Sequence, residues 1–166
     1  MGSGSEPHAE RAEPLGRWLA ELGVNLLTGG GAGSMAAVSE AFAGVRPRAG
    51  RIIGILPGAI ENTGYRVRPG YPNPWVEIPI YTHLPLSGDR GTERASRNHI
   101  NVLSSDVIVA LPGGAGTHSE LQLARHYGKP VIVFGADAPH VPAGIEATDD
   151  FTRVQAFVRE ALDLPA

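Results

Sequence analysis

Asp106-Val107-Ile108-Val109-Ala110-Leu111-Pro112-Gly113-Gly114-Ala115-Gly116-Thr117-His118-Ser119-Glu120 carries the reading of the fold. Its first six residues are a short apolar, β-branched run. Pro112 to Gly116 break that run, and Thr117 to Glu120 open a helical pattern. A strand, a glycine turn and a helix start present bare backbone N–H groups and a positive helix end to an anion. Phosphate is the expected anion, and Glu120 stands one helical turn beyond the loop, within reach of a ligand held there.

Outward from this stretch, apolar runs alternate with helical patterns. Val24–Thr28 reads as a buried strand ended by Gly29-Gly30-Gly31, and Ser34 to Phe42 follows with Met35, Val38 and Phe42 at helical spacing. Arg51–Leu56 is a second strand, and Val76, Ile78 and Ile80 alternate as a third. Arg90–Ser104 reads as a helix, Asp106–Leu111 as the fourth strand, Thr117–Tyr127 as a helix capped by Gly128, and Pro130–Phe134 as the fifth strand. Asp149 or Asp150 is placed to cap a last helix over Phe151–Leu162. Glu61–Pro74 reads as irregular, either a lid or a solvated loop. Apolar strands separated by helices predict an α/β, Rossmann-like three-layer fold: a parallel sheet with helices on both faces. Such sheets bind ligands at the carboxyl ends of their strands, where both long glycine clusters lie.

Bulk composition bounds the function. The 166 residues and 42% hydrophobic content suit one domain, 1–166. A net charge of -3 predicts neither a nucleic-acid nor a membrane partner. Absence of cysteine excludes disulfides and thiolate chemistry. No apolar run approaches the ~20 residues of a membrane span, and no secretory signal is evident, so a cytoplasmic protein is the expectation. The six histidines show no compact ligand spacing, so no metal is expected, and the reading implies no organic cofactor. Lys129 is the single lysine and sits poorly for a Schiff base.

Two glycine loops form the expected binding site: Gly29, Gly30, Gly31 and Gly33 with Met35, and Pro112, Gly113, Gly114, Ala115, Gly116 and Thr117. The second lacks the G-x-x-x-x-G-K-[ST] order of a nucleoside-triphosphatase loop, and also G-x-G-x-x-G. Arg97, on the helix before the fourth strand, suits a phosphate or a developing negative charge. Glu120 suits water orientation or stabilisation of an oxocarbenium-like centre. A surface ion pair between neighbouring helices is the plainer reading of the same two residues. The N-terminal Gly2-Ser3-Gly4-Ser5 reads as another strand-end loop whose strand is missing, or as a chance or engineered stretch.

PGGAGTHSE, Pro112 to Glu120, resembles the PGGxGTxxE motif of the lonely guy (LOG) family. Arg97 stands where that family's catalytic arginine falls, and GGGAGSM, Gly29 to Met35, resembles its other glycine-rich segment. The resemblance runs from about Gly2 to Gly135. It implies a Rossmann-like homodimer, or a higher homo-oligomer, that cleaves the N-glycosidic bond of a nucleoside 5′-monophosphate, of the cytokinin riboside or AMP type, to free base and ribose 5-phosphate. Arg97 and Glu120 would then be the catalytic pair, and Gly113, Gly114, Gly116 and Thr117 would hold the 5′-phosphate. The "lysine decarboxylase" label often given to such proteins conflicts with a single, poorly placed lysine. One position departs: the family has Arg-Lys where this chain has Arg97-Asn98. The run Ser96–Ser105 is closer to the molybdenum cofactor carrier proteins, which share the fold and bind a phosphate-bearing pterin without turning it over. Three functions follow: a phosphoribohydrolase, a carrier of molybdenum cofactor or another phosphorylated ligand, and a nucleotide sensor. The resemblance also implies a natural start upstream of Met1, because family members begin with a strand running into the Gly-Ser loop.

Overall fold

The structure, a computed structural model, describes residues 1–165. Helix α1 (Ala9–Leu22) leads into strand β1 (Leu26–Thr28) and helix α2 (Ser34–Gly44). Strands β2 (Ile52–Leu56), β3 (Gly58–Glu61), β4 (Gly64–Val67) and β5 (Ile78–Tyr81) follow. Helix α3 (Asn98–Leu103), strand β6 (Ile108–Ala110), helix α4 (Ala115–His126), strands β7 (Val131–Phe134) and β8 (Glu146–Thr148), and helix α5 (Phe151–Ala161) complete the chain.

The expected parallel sheet is present as two three-stranded parallel sheets, ordered β1-β2-β5 and β6-β7-β8. Strands buried on both faces must be apolar throughout. That is why RIIGIL and PVIVF were readable: Ile52, Ile55, Leu56, Ile132, Val133 and Phe134 are all buried. Helices α1, α2 and α5 share one apolar cluster that joins the two sheets, with Leu26 and Ile52 on one side and Leu111, Ile132 and Phe134 on the other. Trp18 of α1 meets Phe151 of α5 edge-on at 6.0 Å, and Phe151 stacks on Phe134 of β7 at 5.5 Å. Helices α3 and α4 cover the opposite face of the second sheet through Val102, Leu121, Leu123 and Ala124. The result is a Rossmann-like α/β arrangement with helices on both faces. No helix among the described residues is long and apolar enough to cross a membrane.

Three elements differ from the sequence reading. Part of Glu61–Pro74 is ordered as the antiparallel hairpin β3–β4, which turns at Asn62-Thr63. The helix expected over Arg90–Ser104 is reduced to Asn98–Leu103. Residues 91–96 instead run as successive turns, with Glu93 N–H bonded to the Arg90 carbonyl and Ser96 N–H to the Glu93 carbonyl. The Ser96 hydroxyl then accepts from Asn98 N–H at 3.2 Å, a local bond that competes with helix and sets its start. Strand β8 is polar and partly exposed, so no apolar pattern announced it.

Helix α5 begins at Asp150, whose carboxylate accepts from Thr152 N–H at 2.8 Å. Asp150→Ala removes that cap and should cost about 1 kcal/mol. A fall of about 2–4 °C in the thermal midpoint is the expected reading; an unchanged midpoint would show that the cap contributes nothing.

Candidate functional site

Three loops meet at one end of the sheets. The first follows β1, with Gly30 at φ 70° and Gly33 at φ 61°, backbone that side chains rarely adopt. It is pinned from outside by Asn73, whose N–H donates to the Gly30 carbonyl at 2.7 Å and whose Nδ2 donates to the Gly31 carbonyl at 2.9 Å. Thr28 Oγ1 accepts from Gly30 N–H at 3.1 Å. The second loop follows β6 and runs into α4. The third is Gly2–Ser5, strung between the other two. Ser3 N–H donates to the Pro112 carbonyl at 3.2 Å, and the Ser3 carbonyl accepts from the Ser34 N–H at 3.0 Å and its hydroxyl at 3.1 Å. Gly2–Ser5 therefore belongs to the glycine-loop cluster of the fold.

The turn into α4 is built with unused donors. Gly114 is the N-cap and supplies no side chain, and the N–H groups of Gly114, Ala115, Gly116 and Thr117 meet no protein acceptor among the described residues. Gly113 is glycine for packing reasons, since a Cβ there would strike Thr117 Oγ1 and lie 2.9 Å from Ser3 N. Packing places no such demand on Gly114, whose Cβ would meet nothing within 4 Å and whose φ is an ordinary −90°. Its bareness instead leaves the backbone donors at the start of α4 open to an approaching anion.

Arg97 and Glu120 come together as the spacing suggested, from the N-cap of α3 and the second turn of α4. Arg97 Nη1 lies 3.7 Å from Glu120 Oε1, and the residues are only 4% and 8% exposed. They are not the surface pair that was the plainer reading. Gly29 lies against the guanidinium: a Cβ there would stand 2.6 Å from Nη1, so a larger residue would displace the arginine. Asn101, one turn after Arg97 on α3, donates from Nδ2 to Glu120 Oε1 at 3.4 Å. The Met1 α-amino group is buried beside the pair. Burial pushes its pKa below the ordinary 8.0 and Arg97 adds to the fall, against the pull of Glu120.

Four buried polar atoms here have no hydrogen-bond partner: Arg97 Nε and Nη1, Thr117 Oγ1 and Asn101 Oδ1. A buried polar atom without a partner costs about 1–3 kcal/mol, more when charged. Two of the four are guanidinium donors and one is a hydroxyl, so an oxyanion is the chemical class that would satisfy them.

The other expected positions divide. Thr28, Gly29, Met35 and Glu120 line one cavity. Gly30 and Gly31 pack against Leu56 and against Met35 and Tyr71, so protein atoms occupy their open faces. Pro112 packs under Gly135, and Ala115 opens α4. His118 turns to the His140 carbonyl at 2.7 Å, in solvent. Asn98, the departure from the lonely guy pattern, donates to Ser119 Oγ at 3.0 Å, and Ser119 donates to the Gly116 carbonyl at 2.8 Å. Asn98 therefore locks α3 onto the first turn of α4. Sequence reading missed Asn101 and Asn73, and read Ser3 only as part of a strand-end loop. For Asn101 a signal existed: it lies at i+4 from Arg97, on the same helical face.

Comparison with known proteins bears on the fold and the family. The chain is similar to the molybdenum cofactor binding protein of the phototrophic bacterium Rippkaea orientalis, at 30% identity over 98% of this chain and 93% of that one, with a TM-score of 0.69. It is also similar to the molybdenum cofactor carrier protein of Chlamydomonas reinhardtii, at 29% identity over 93% and 88% of the two chains, with a TM-score of 0.66. No curated protein matches the chain. The SLOG cluster4 family model matches residues 1–160, across all three loops and both charged residues, and the chain belongs to that family.

Proposed function

We propose that the protein is a carrier of molybdenum cofactor, binding the phosphate-bearing pterin at the carboxyl ends of β1 and β6. The observation that carries this reading is the unpartnered donor set: Arg97 Nε and Nη1, Thr117 Oγ1 and the N–H groups of Gly114–Thr117. The phosphate would sit over the start of α4, where the helix dipole favours negative charge. Arg97 would close on it with fixed fork geometry, and Asn101 Oδ1 would accept from the ligand. The two similar structures, both molybdenum cofactor proteins, support the same reading.

A second reading keeps hydrolysis. Glu120 lines the cavity and is paired with Arg97, the combination that would stabilise an oxocarbenium-like sugar and position water during N-glycosidic cleavage. Its carboxylate is, however, already engaged by Arg97 and Asn101, which suits holding more than turnover.

One experiment separates the two. The protein is incubated with AMP and with isopentenyl-AMP, and free base is followed; in parallel it is mixed with molybdenum cofactor and the retained pterin and molybdenum are measured after gel filtration. Retention without base release is the expected result. Base release that disappears in Glu120→Ala, with no retained pterin, would replace the carrier by a phosphoribohydrolase.

A further inference from the structure

The Ser119 hydroxyl is a junction of three segments. It donates to the Gly116 carbonyl at 2.8 Å and accepts from Asn98 Nδ2 at 3.0 Å. The third segment is the turn Gly88–Gly91, closed by the bond from Gly91 N–H to the Gly88 carbonyl at 2.9 Å. A Cβ at Gly91 would strike Ser119 Oγ and stand 2.7 Å from Asn98 Nδ2. Gly91 has an ordinary φ of -66°, so it is bare for space and not for conformation. Any side chain there would displace the Asn98–Ser119 bond.

That bond reaches both halves of the anion site. On α4, the Gly116 carbonyl and the Thr117 N–H belong to one planar trans peptide and point in opposite directions. Holding the carbonyl therefore aims the N–H, one of the free donors at the start of the helix. On α3, Asn98 is the residue directly after Arg97. Arg97 has little else to fix it. Its Nε and Nη1 bond to nothing among the described residues, and its ion-pair partner Glu120 stands at 3.7 Å, beyond hydrogen-bond length. Asn98 and Ser119 are both buried, so water does not compete for their bond.

We propose that Ser119 and Asn98 are the positioning residues of the anion site, setting Arg97 against the N–H groups of Gly114–Thr117 before a ligand arrives. This role rests on the phosphate-binding reading above. A grip whose parts are already in place loses less freedom on binding. It suits a tetrahedral oxyanion ester, with some oxygens for the α4 donors and others for the guanidinium fork. Ser119→Ala alone strands Asn98 Nδ2, a buried donor, and should lower stability as well as binding. Replacing both partners by apolar side chains removes the bond without leaving a group unpaired.

The test compares the unaltered chain with Ser119→Ala and with the double variant Asn98→Leu, Ser119→Ala. Solvent exchange of the Arg97 Nε–H is followed by NMR in the ligand-free protein, beside the thermal midpoint and the affinities for molybdenum cofactor and inorganic phosphate. The double variant should regain most of the midpoint lost in Ser119→Ala. Both variants should nevertheless exchange the Nε–H at least ~10-fold faster and bind both ligands about tenfold more weakly. If either the exchange or the affinity in the double variant stays within about threefold of the unaltered chain, the bond is a packing contact and the proposal is overturned. Should the double variant not fold, Ser119→Ala read below its midpoint decides by the same criterion. An unaltered chain that binds neither ligand would defeat the phosphate reading by itself; the Nε–H exchange needs no ligand and still decides whether Asn98 and Ser119 position Arg97.

Discussion

Arg97→Met is expected to lower affinity for molybdenum cofactor about 100-fold. Arg97 carries two unpartnered, buried guanidinium nitrogens. Hydrogen bonds to charged groups contribute about 1.5–3 kcal/mol each, and the loss of two, partly offset by water entering, corresponds to roughly 3 kcal/mol, or two decades in Kd. Lysine is no substitute, because its point charge lacks the fork that reaches two phosphate oxygens. The single variant also leaves Glu120 buried without its cation, so stability must be measured beside binding. The double variant Arg97→Met, Glu120→Gln removes both charges and should recover the midpoint while binding stays lost. Retained affinity within threefold in Arg97→Met would show that the phosphate is held by the α4 turn alone.

Glu77→Ala should be clearly destabilising, at about 1–3 kcal/mol, because it removes the charged partner of a buried donor. Glu77 Oε1 accepts from Arg48 Nη2 at 2.9 Å, and Oε2 accepts from Ile52 N–H at 2.9 Å. The Arg48 side chain is 2% exposed and lies over the Phe42 ring at 5.1 Å, so without Glu77 a buried guanidinium loses its carboxylate and keeps its bond to the Gly50 carbonyl. The Arg48 hydrogen bond, with help from Ile52 N–H, holds the Glu77 carboxyl down at about 2 against the usual 4.5. A depressed carboxylate stabilises fully above its unfolded value and loses that contribution as pH falls through the folded one. Stability should therefore decline between about pH 4.5 and 2 in the unaltered chain, and Glu77→Gln should flatten much of that decline. Denaturant midpoints across this range decide it; an unchanged slope in Glu77→Gln would assign the acid sensitivity to other carboxylates.

The legible parts of the molecule were those whose residue type is fixed by burial on both faces or by backbone geometry. Strands β2 and β7 could be read because nothing polar survives between two helical layers, and the α4 turn because Gly113 must be bare. Strand β8 could not, since an edge strand of Glu146, Ala147 and Thr148 is set by pairing with β7 and not by its own pattern. The α3 start was hidden because the bond from Asn98 N–H to Ser96 Oγ overrides helix propensity across 91–96. In the site, Arg97 and Glu120 could be named but their burial could not. Unpartnered atoms are a property of the assembled packing, and Asn101 acquires its role only by facing α4.

The bond from Met1 to Val109 spans 108 positions of sequence. A ribosome adding about 5–20 residues per second makes Met1 before Val109 and needs roughly 5–20 s more to deliver that partner. Helices α1 and α2 and the β1–β2 pair have their contacts in hand well before then. The second sheet arrives last and must capture the Met1 segment, which has waited while the 108 positions between them were made. For this chain, the step most open to interception by a chaperone or by a neighbouring nascent chain is therefore the joining of its two halves, and not the making of either one.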